Sequence, residues 1–530
     1  MGICGKSLIG FRDVTAANSS FSALNPATGE RLDPVFSSVT DEEINCAAQL
    51  AADAFPVFGR LRGSQRASFL RCIASGIEEI TDVIVERAHQ ETALPKPRLQ
   101  SETARTCNQL RLFAGVVEES SWISARIDRA DPQRKPVPKP DVRCLLYPIG
   151  PVAVFGASNF PLAFSVAGGD TASAFAAGNP VIVKAHPAHP GTSELVGRVI
   201  RKSVRDLGLP EGVFSLLFDS GIHVGSKLVQ HPLIKAVGFT GSIPAGRALM
   251  NLAVSRPEPI PFYGEMGSTN PVFLLPGALA ARGRDIAAQL HESFTLGSGQ
   301  FCTKPGMVFF PGTHVSASFL SDFERRVLRS PTFTLLTSGM RSLYQREIHK
   351  RRGRHDLTLL AEGEQPDSSS PFLAGAVVFQ TDVPTLLAWS DLESEVFGPS
   401  TLLIRFSDKE QIIKAARNLR GHLTATIHGT EEDLRDFTEL IEILKSKVGR
   451  IIFNGSPTGV EVCHAMIHGG PYPASTDSRT TSVGALAIQR FARPVCYQDF
   501  PDYALPDEIK NANPLAIWRM VDGELTRQQL

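Results

Sequence analysis

The chain has 530 residues, more than one hydrophobic core usually supports, so two or three domains are expected. Lysine plus arginine equals aspartate plus glutamate at 54 each, which removes the electrostatic case for nucleic acid or an anionic membrane as a partner. The eight cysteines form no CxxC pair and no zinc spacing, which suits a reducing cytoplasm, and the first residues offer no long apolar run to read as a targeting signal.

In chain order, 40–120 is mainly helical in period, with helices predicted near 66–88 and 99–117. A stretch rich in proline and basic residues, 128–140, reads as a connection. From 150 to 265 short β-branched runs (152–155, 181–184, 213–218 and 236–239) alternate with helical patterns near 161–177, 192–207, 223–230 and 243–253. This alternation predicts an α/β fold with a doubly wound parallel sheet and ligands at the carboxyl ends of its strands. The apolar run 152–183 carries one charged residue, Asp170, but Pro161, Pro180 and its glycines make it a strand, helix and strand rather than a membrane span. A second α/β unit follows Glu265, with a polar break at 362–371 and a short serine run at 368–370.

Several strand ends and turns carry candidate chemistry. Cys302 lies in Gly-Gln-Phe-Cys-Thr-Lys-Pro-Gly, a turn that presents a thiol rather than packing it, although a free cysteine is more often a small core residue. Asn159 follows the first strand, where its amide can donate to an oxyanion or cap a helix begun at Pro161. Lys184 ends the second strand, and His186 and His189 beyond it lack the third ligand a metal needs, so no metal is expected. Gly241-Ser242 opens a helix, where a phosphate is favoured, yet no GxGxxG follows the first strand. Glu265, beside glycines, suits a general base of raised pKa against the plain alternative of a solvated glutamate, and Glu395 suits a ribose diol against that of an ordinary turn.

Together, Asn159, Lys184, Gly241-Ser242, Glu265, Cys302 and Glu395-Val-Phe397 resemble the ordered motif set of the aldehyde dehydrogenase superfamily over nearly the whole chain. The segments FGASNFPLAFSVAGGD (155–170), KAHPAHPGTSE (184–194), NPVFLLP (270–276), GVEVCH (459–464) and RPVCY (493–497) are similar to the group that oxidises 2,5-dioxopentanoate to 2-oxoglutarate.

That resemblance implies an aldehyde dehydrogenase-like fold. A Rossmann-like dinucleotide-binding domain (1–125 and 149–262) would join a catalytic domain (263–480), a β-hairpin oligomerisation arm (126–148 and 481–500) and a C-terminal tail (501–530). It implies that Cys302 attacks the aldehyde, that Asn159 holds the oxyanion and that Glu265 activates water to release a free acid. Ser158, Lys184, Pro187, Gly221, Gly225, Gly241, Ser242, Glu395 and Phe397 would bind the cofactor, and Arg105, Phe160 and Thr303 the substrate. Arg105 is the candidate grip for a distal carboxylate. Pro187 stands where relatives that prefer NAD often carry a ribose-binding glutamate, so the cofactor is NADP or NAD with a slight preference for NADP. Gly168 replaces a lysine frequent in relatives, and whether Lys304 helps ionise Cys302 is a question for the structure. A cytoplasmic homodimer or homotetramer acting on a small aldehyde is expected. The alternatives are a dehydrogenase of longer neutral aldehydes and a catalytically idle binding protein of the same fold.

Overall fold

The computed structural model describes residues 2–15, 19–367 and 370–530. The first sheet has seven strands in the order Phe262–Glu265, Ala236–Thr240, Val152–Phe155, Val181–Lys184, Phe214–Leu217, Ser7–Ile9 and Arg12–Val14. The first five are parallel, and the two N-terminal strands close one edge antiparallel. Val152–Phe155 sits inside the order with later strands on both sides, so the chain winds outward twice and leaves a crevice at the carboxyl ends. All four residues of Val152–Phe155, Val181–Lys184 and Phe214–Leu217 are buried, as continuous apolar strands covered on both faces must be.

The second sheet runs Thr358–Glu362, Val377–Asp382, Ser400–Phe406, Met307–Pro311, Val272–Leu274, His422–His428 and Val448–Phe453, and only Thr358–Glu362 is antiparallel to its neighbour. The predicted domain break at 262/263 falls within Phe262–Glu265, a strand of the first sheet, so Glu265 projects from the end of that sheet. The polar break begins where Thr358–Glu362 ends, and Ser368 and Ser369 lie outside the described residues.

Three expectations are corrected. No helix begins at Pro161; the helix is Gly169–Ala177, because the Glu102 carboxylate accepts from the backbone N–H of Leu162 at 2.9 Å and of Ala163 at 3.0 Å and holds 161–168 as turns. The helical stretch 66–88 is two helices, Gly63–Glu79 and Thr81–Thr92, broken at Ile80, whose φ is −116°. In the arm, Val142–Pro148 pairs antiparallel with Ala492–Gln498, but Ala485–Phe491 is a 3-10 helix whose Ala487, Ile488 and Phe491 are buried in the core of the first sheet.

The 501–530 segment is no loose tail. Arg519–Val521 and Glu524–Thr526 add two strands to the arm sheet beside Arg126–Asp128. No described helix is long and apolar enough to cross a membrane.

Candidate active site

The turn before Cys302 is built by backbone that few side chains tolerate. Gly297, Ser298 and Gly299 all have positive φ, and a Cβ on Gly299 would lie 2.3 Å from the carbonyl of Gly398. Two glycine-bearing loops therefore touch backbone to backbone. Asn270 then fixes the turn from beneath: its Nδ2 donates to the carbonyls of Cys302 at 2.8 Å and Lys304 at 2.9 Å, while its Oδ1 accepts from Ser268 and Thr424.

Cys302 is half-buried, with Sγ 3.5 Å from His468 Nε2, and the same Nε2 lies 2.9 Å from Glu265 Oε1. The Ser482 hydroxyl donates to Glu265 Oε2. One donor atom from each of Cys302, His468 and Glu265 falls within 4.8 Å of the others. These donor types also suit a zinc ion, where the sequence led us to expect no metal. His468 Nδ1 is buried without a partner among the described residues, so Nε2 carries the ring's hydrogen bonding.

Burial pushes the Cys302 thiol well above its ordinary pKa of 9.0; Glu265 and Glu395 push the same way and Arg105 opposes them. The resting thiol is neutral. A raised pKa expected at Glu265 is corrected: burial does raise it, but His468, Ser482 and Cys302 outweigh burial and hold the carboxyl below 4.5.

Asn159 is buried beside this turn, its Nδ2 donating to the Gln300 carbonyl at 2.9 Å, and since no helix starts at Pro161 the capping alternative falls away. Ser158 precedes it in the bend that follows the first strand, and Thr303 is buried with its hydroxyl unpartnered among the described residues. Phe160 packs edge-on against Phe164 and Phe301, with the Arg98 guanidinium 5.1 Å above its ring.

Arg105 donates from Nε to the Val460 carbonyl at 3.2 Å and lies over Phe164; its terminal nitrogens have no hydrogen-bond partner among the described residues. Its charge acts on both Cys302 and Glu265. Arg450 holds the same loop through the carbonyls of Gly459 and Pro457, and its charge too is felt at Cys302.

The residues read as cofactor-binding lie at the crevice of the first sheet and on a loop of the second. Lys184 is buried, donates to the Asp219 carbonyl at 2.9 Å, and is lowered by burial to about 8. Pro187 lines a cleft of about 170 Å³ with Ser22, His186 and Thr337. Gly221 donates to Asp219, and a Cβ on Gly225 would approach the Phe155 ring to 3.0 Å.

Gly241 and Ser242 are exposed, and Ser242 caps the twelve-residue helix Ile243–Val254 by accepting from Ala245 N–H. An open helix start at the strand ends fits a dinucleotide phosphate without a GxGxxG loop. Glu395 and Phe397 are half-buried in the loop before Ser400–Phe406; burial raises Glu395 to about 7, with Lys304 opposing.

Residues 14–482 match the aldehyde dehydrogenase family, to which the chain belongs. It is 47% identical over 529 residues to alpha-ketoglutaric semialdehyde dehydrogenase 2 of Azospirillum brasilense, covering 99% of this chain and 100% of that protein. A second relative, alpha-ketoglutaric semialdehyde dehydrogenase of Acinetobacter baylyi, is 45% identical over 524 residues, or 99% of each. The fold matches the betaine aldehyde dehydrogenase of Staphylococcus aureus solved in complex with NAD+, with a TM-score of 0.80, 18% identity and coverage of 94% of this chain and 96% of that one. Methylmalonate-semialdehyde dehydrogenase from Oceanimonas doudoroffii matches with a TM-score of 0.79 and 19% identity, covering 94% and 98%.

His468, Arg98 and Arg450 are absent from the sequence reading. His468 stands 166 residues beyond Cys302, so no spacing links them. The available signal was Gly469-Gly470 directly after it, a pair that permits close backbone approach.

Proposed function

We propose that this chain oxidises 2,5-dioxopentanoate, the α-ketoglutaric semialdehyde of its relatives' names, to 2-oxoglutarate with NAD or NADP. The observation that carries the chemistry is the Cys302, His468 and Glu265 cluster, with 3.5 Å from Sγ to Nε2 and 2.9 Å from Nε2 to Oε1. Cys302 gives its proton to His468 Nε2, whose imidazolium stays paired with the still ionised Glu265, and its sulfur attacks the aldehyde carbon, forming a thiohemiacetal alkoxide. Its alkoxide is received by the Asn159 amide, which turns from Gln300, and by the Cys302 N–H. Nicotinamide, when bound, supplies the hydride acceptor that leaves a thioester on sulfur. Glu265, held ionised by His468 and Ser482, then takes a proton from water as it attacks the thioester and frees the acid.

Lys184, Ser242, Glu395 and Phe397 are the residues proposed to hold the dinucleotide, and Pro187 in place of a carboxylate supports acceptance of NADP. Arg105, with two unpartnered nitrogens near the thiol, is proposed to take the distal carboxylate as a fork. Steady-state kinetics with 2,5-dioxopentanoate, glutarate semialdehyde and hexanal, each with NAD and NADP, test this. The expected order of kcat/KM is the order named, and hexanal performing as well as the acids would sink the substrate reading. Pro187→Glu should raise KM for NADP and leave NAD nearly unchanged.

Two further readings belong with it. Homo-oligomer formation through the arm is supported by Ala492–Gln498, an outer strand of its sheet, and is tested by sedimentation. Residence in the reducing cytoplasm is supported by eight cysteines that all stand free.

A further inference from the structure

Lys304 enters the core two residues after the nucleophile, and its side chain is almost fully buried. Its ammonium makes no hydrogen bond to Cys302. Instead it donates to the carbonyls of Val396 at 2.9 Å and Ser400 at 2.7 Å. These two carbonyls bracket Phe397 to Pro399, and Glu395 immediately precedes the first.

Arg351, a second buried cation, donates to the preceding carbonyls of Leu392 at 3.4 Å and Ser394 at 3.1 Å. The Tyr344 hydroxyl reaches the Pro399 carbonyl at 3.2 Å. In the irregular stretch between Ser390–Glu393 and the strand Ser400–Phe406, the carbonyls of Ser394, Val396 and Pro399 thus accept from side chains, as a ladder satisfies them in regular structure.

A neutral side chain of the same length would fill this space with no cost of desolvating an ion, so the volume alone does not call for lysine. What the charge does is visible in its partners. It meets carbonyl dipoles at short range and the Glu395 carboxylate beyond them, each of the two ions acting on the other. At its other end, the Lys304 main chain is clamped with that of Cys302 by the single Asn270 amide. One residue therefore joins the nucleophile turn to the loop carrying Glu395 and Phe397.

We propose that Lys304 is a positioning residue that holds the 395–397 loop in the orientation that grips the dinucleotide. This rests on the reading of Glu395 as a cofactor-binding residue. Dissociation constants for NAD and NADP are measured by titration calorimetry on the full chain for the unsubstituted protein, Lys304→Met, Glu395→Gln and the double variant. Alkylation of Cys302 by iodoacetamide without dinucleotide is followed on the same proteins by peptide mass spectrometry.

Each single variant should weaken dinucleotide binding roughly tenfold, and the double variant no more than either alone. Lys304→Met should leave Cys302 alkylation unchanged. Unaltered affinity in Lys304→Met beside weakened Glu395→Gln, or additive losses in the double variant, overturns the proposal and spares the Glu395 reading. Unaltered affinity in Glu395→Gln overturns both. Should Lys304→Met not fold, Lys304→Gln, which keeps a donor toward the carbonyls, is judged by the same pattern.

Discussion

Cys302 is a thiol whose surroundings oppose its ionisation, so the proposed mechanism has it stored neutral and released by proton transfer. Removing the nearby negative charge should make the thiolate easier to form: in Glu265→Gln, the pH profile of Cys302 alkylation is expected to move to lower pH while steady-state turnover is lost with the proposed water-activating base. A profile that moves upward would contradict the assigned electrostatics. His468→Phe should lower kcat by about 10²-fold or more, the ordinary size of a general acid–base contribution, with the circular dichroism spectrum unchanged. The lowered Glu265 carboxyl also bears on stability. Its contribution is present above the ordinary value of 4.5 and is lost as the pH falls through the lower folded value, which acid titration of Glu265→Gln against the unsubstituted protein measures. Arg105→Ala should raise KM for 2,5-dioxopentanoate far more than for hexanal, and equal effects would refute the carboxylate fork. Cys302, Glu265 and Asn159 could be picked out as candidates because each stands in a glycine- or proline-marked turn at a strand end. His468 could not be, because its role is made by contacts across the fold and its loop offers a second histidine, His464, with equal claim on paper.

At the scale of elements, the parallel strands were the most legible part of the chain. Their apolar runs are short, continuous and bounded by turns, and Val152–Phe155, Val181–Lys184 and the helix His223–Gln230 stand where the pattern puts them. Two of the failures share a physical cause, which is a local signal overridden by a distant partner. Pro161 reads as a helix start, but a carboxylate 60 residues away takes the first N–H groups. The 481–491 stretch reads as strand until three of its apolar side chains are claimed by the core. Gly299 makes a sharper test of element packing. Alanine there would need an unfavourable left-handed φ of 67° and would press on Gly398, at a cost of about 1–3 kcal/mol from the backbone conformation alone. Gly299→Ala should therefore lower the thermal midpoint and reduce both Cys302 reactivity and dinucleotide affinity, since the two loops move together.

Across the whole molecule, the last thirty or so residues lie against the arm rather than trailing from it. Arg519, fully buried, donates to the carbonyls of Lys510, Asn511 and Gln528 and so binds the final hairpin to the segment before it. Removing residues 515–530 would bare the edge of Arg126–Asp128, and concentration-dependent aggregation by light scattering is the expected result. Glu265 comes from the end of the first sheet, Cys302 from the turn leading into the second sheet, and His468 from the stretch that returns toward the arm. Catalysis consequently reports on alignment that spectroscopy averages away: in a urea titration the rate should fall before the helical signal does, making the enzyme its own most sensitive gauge of how well its halves are docked.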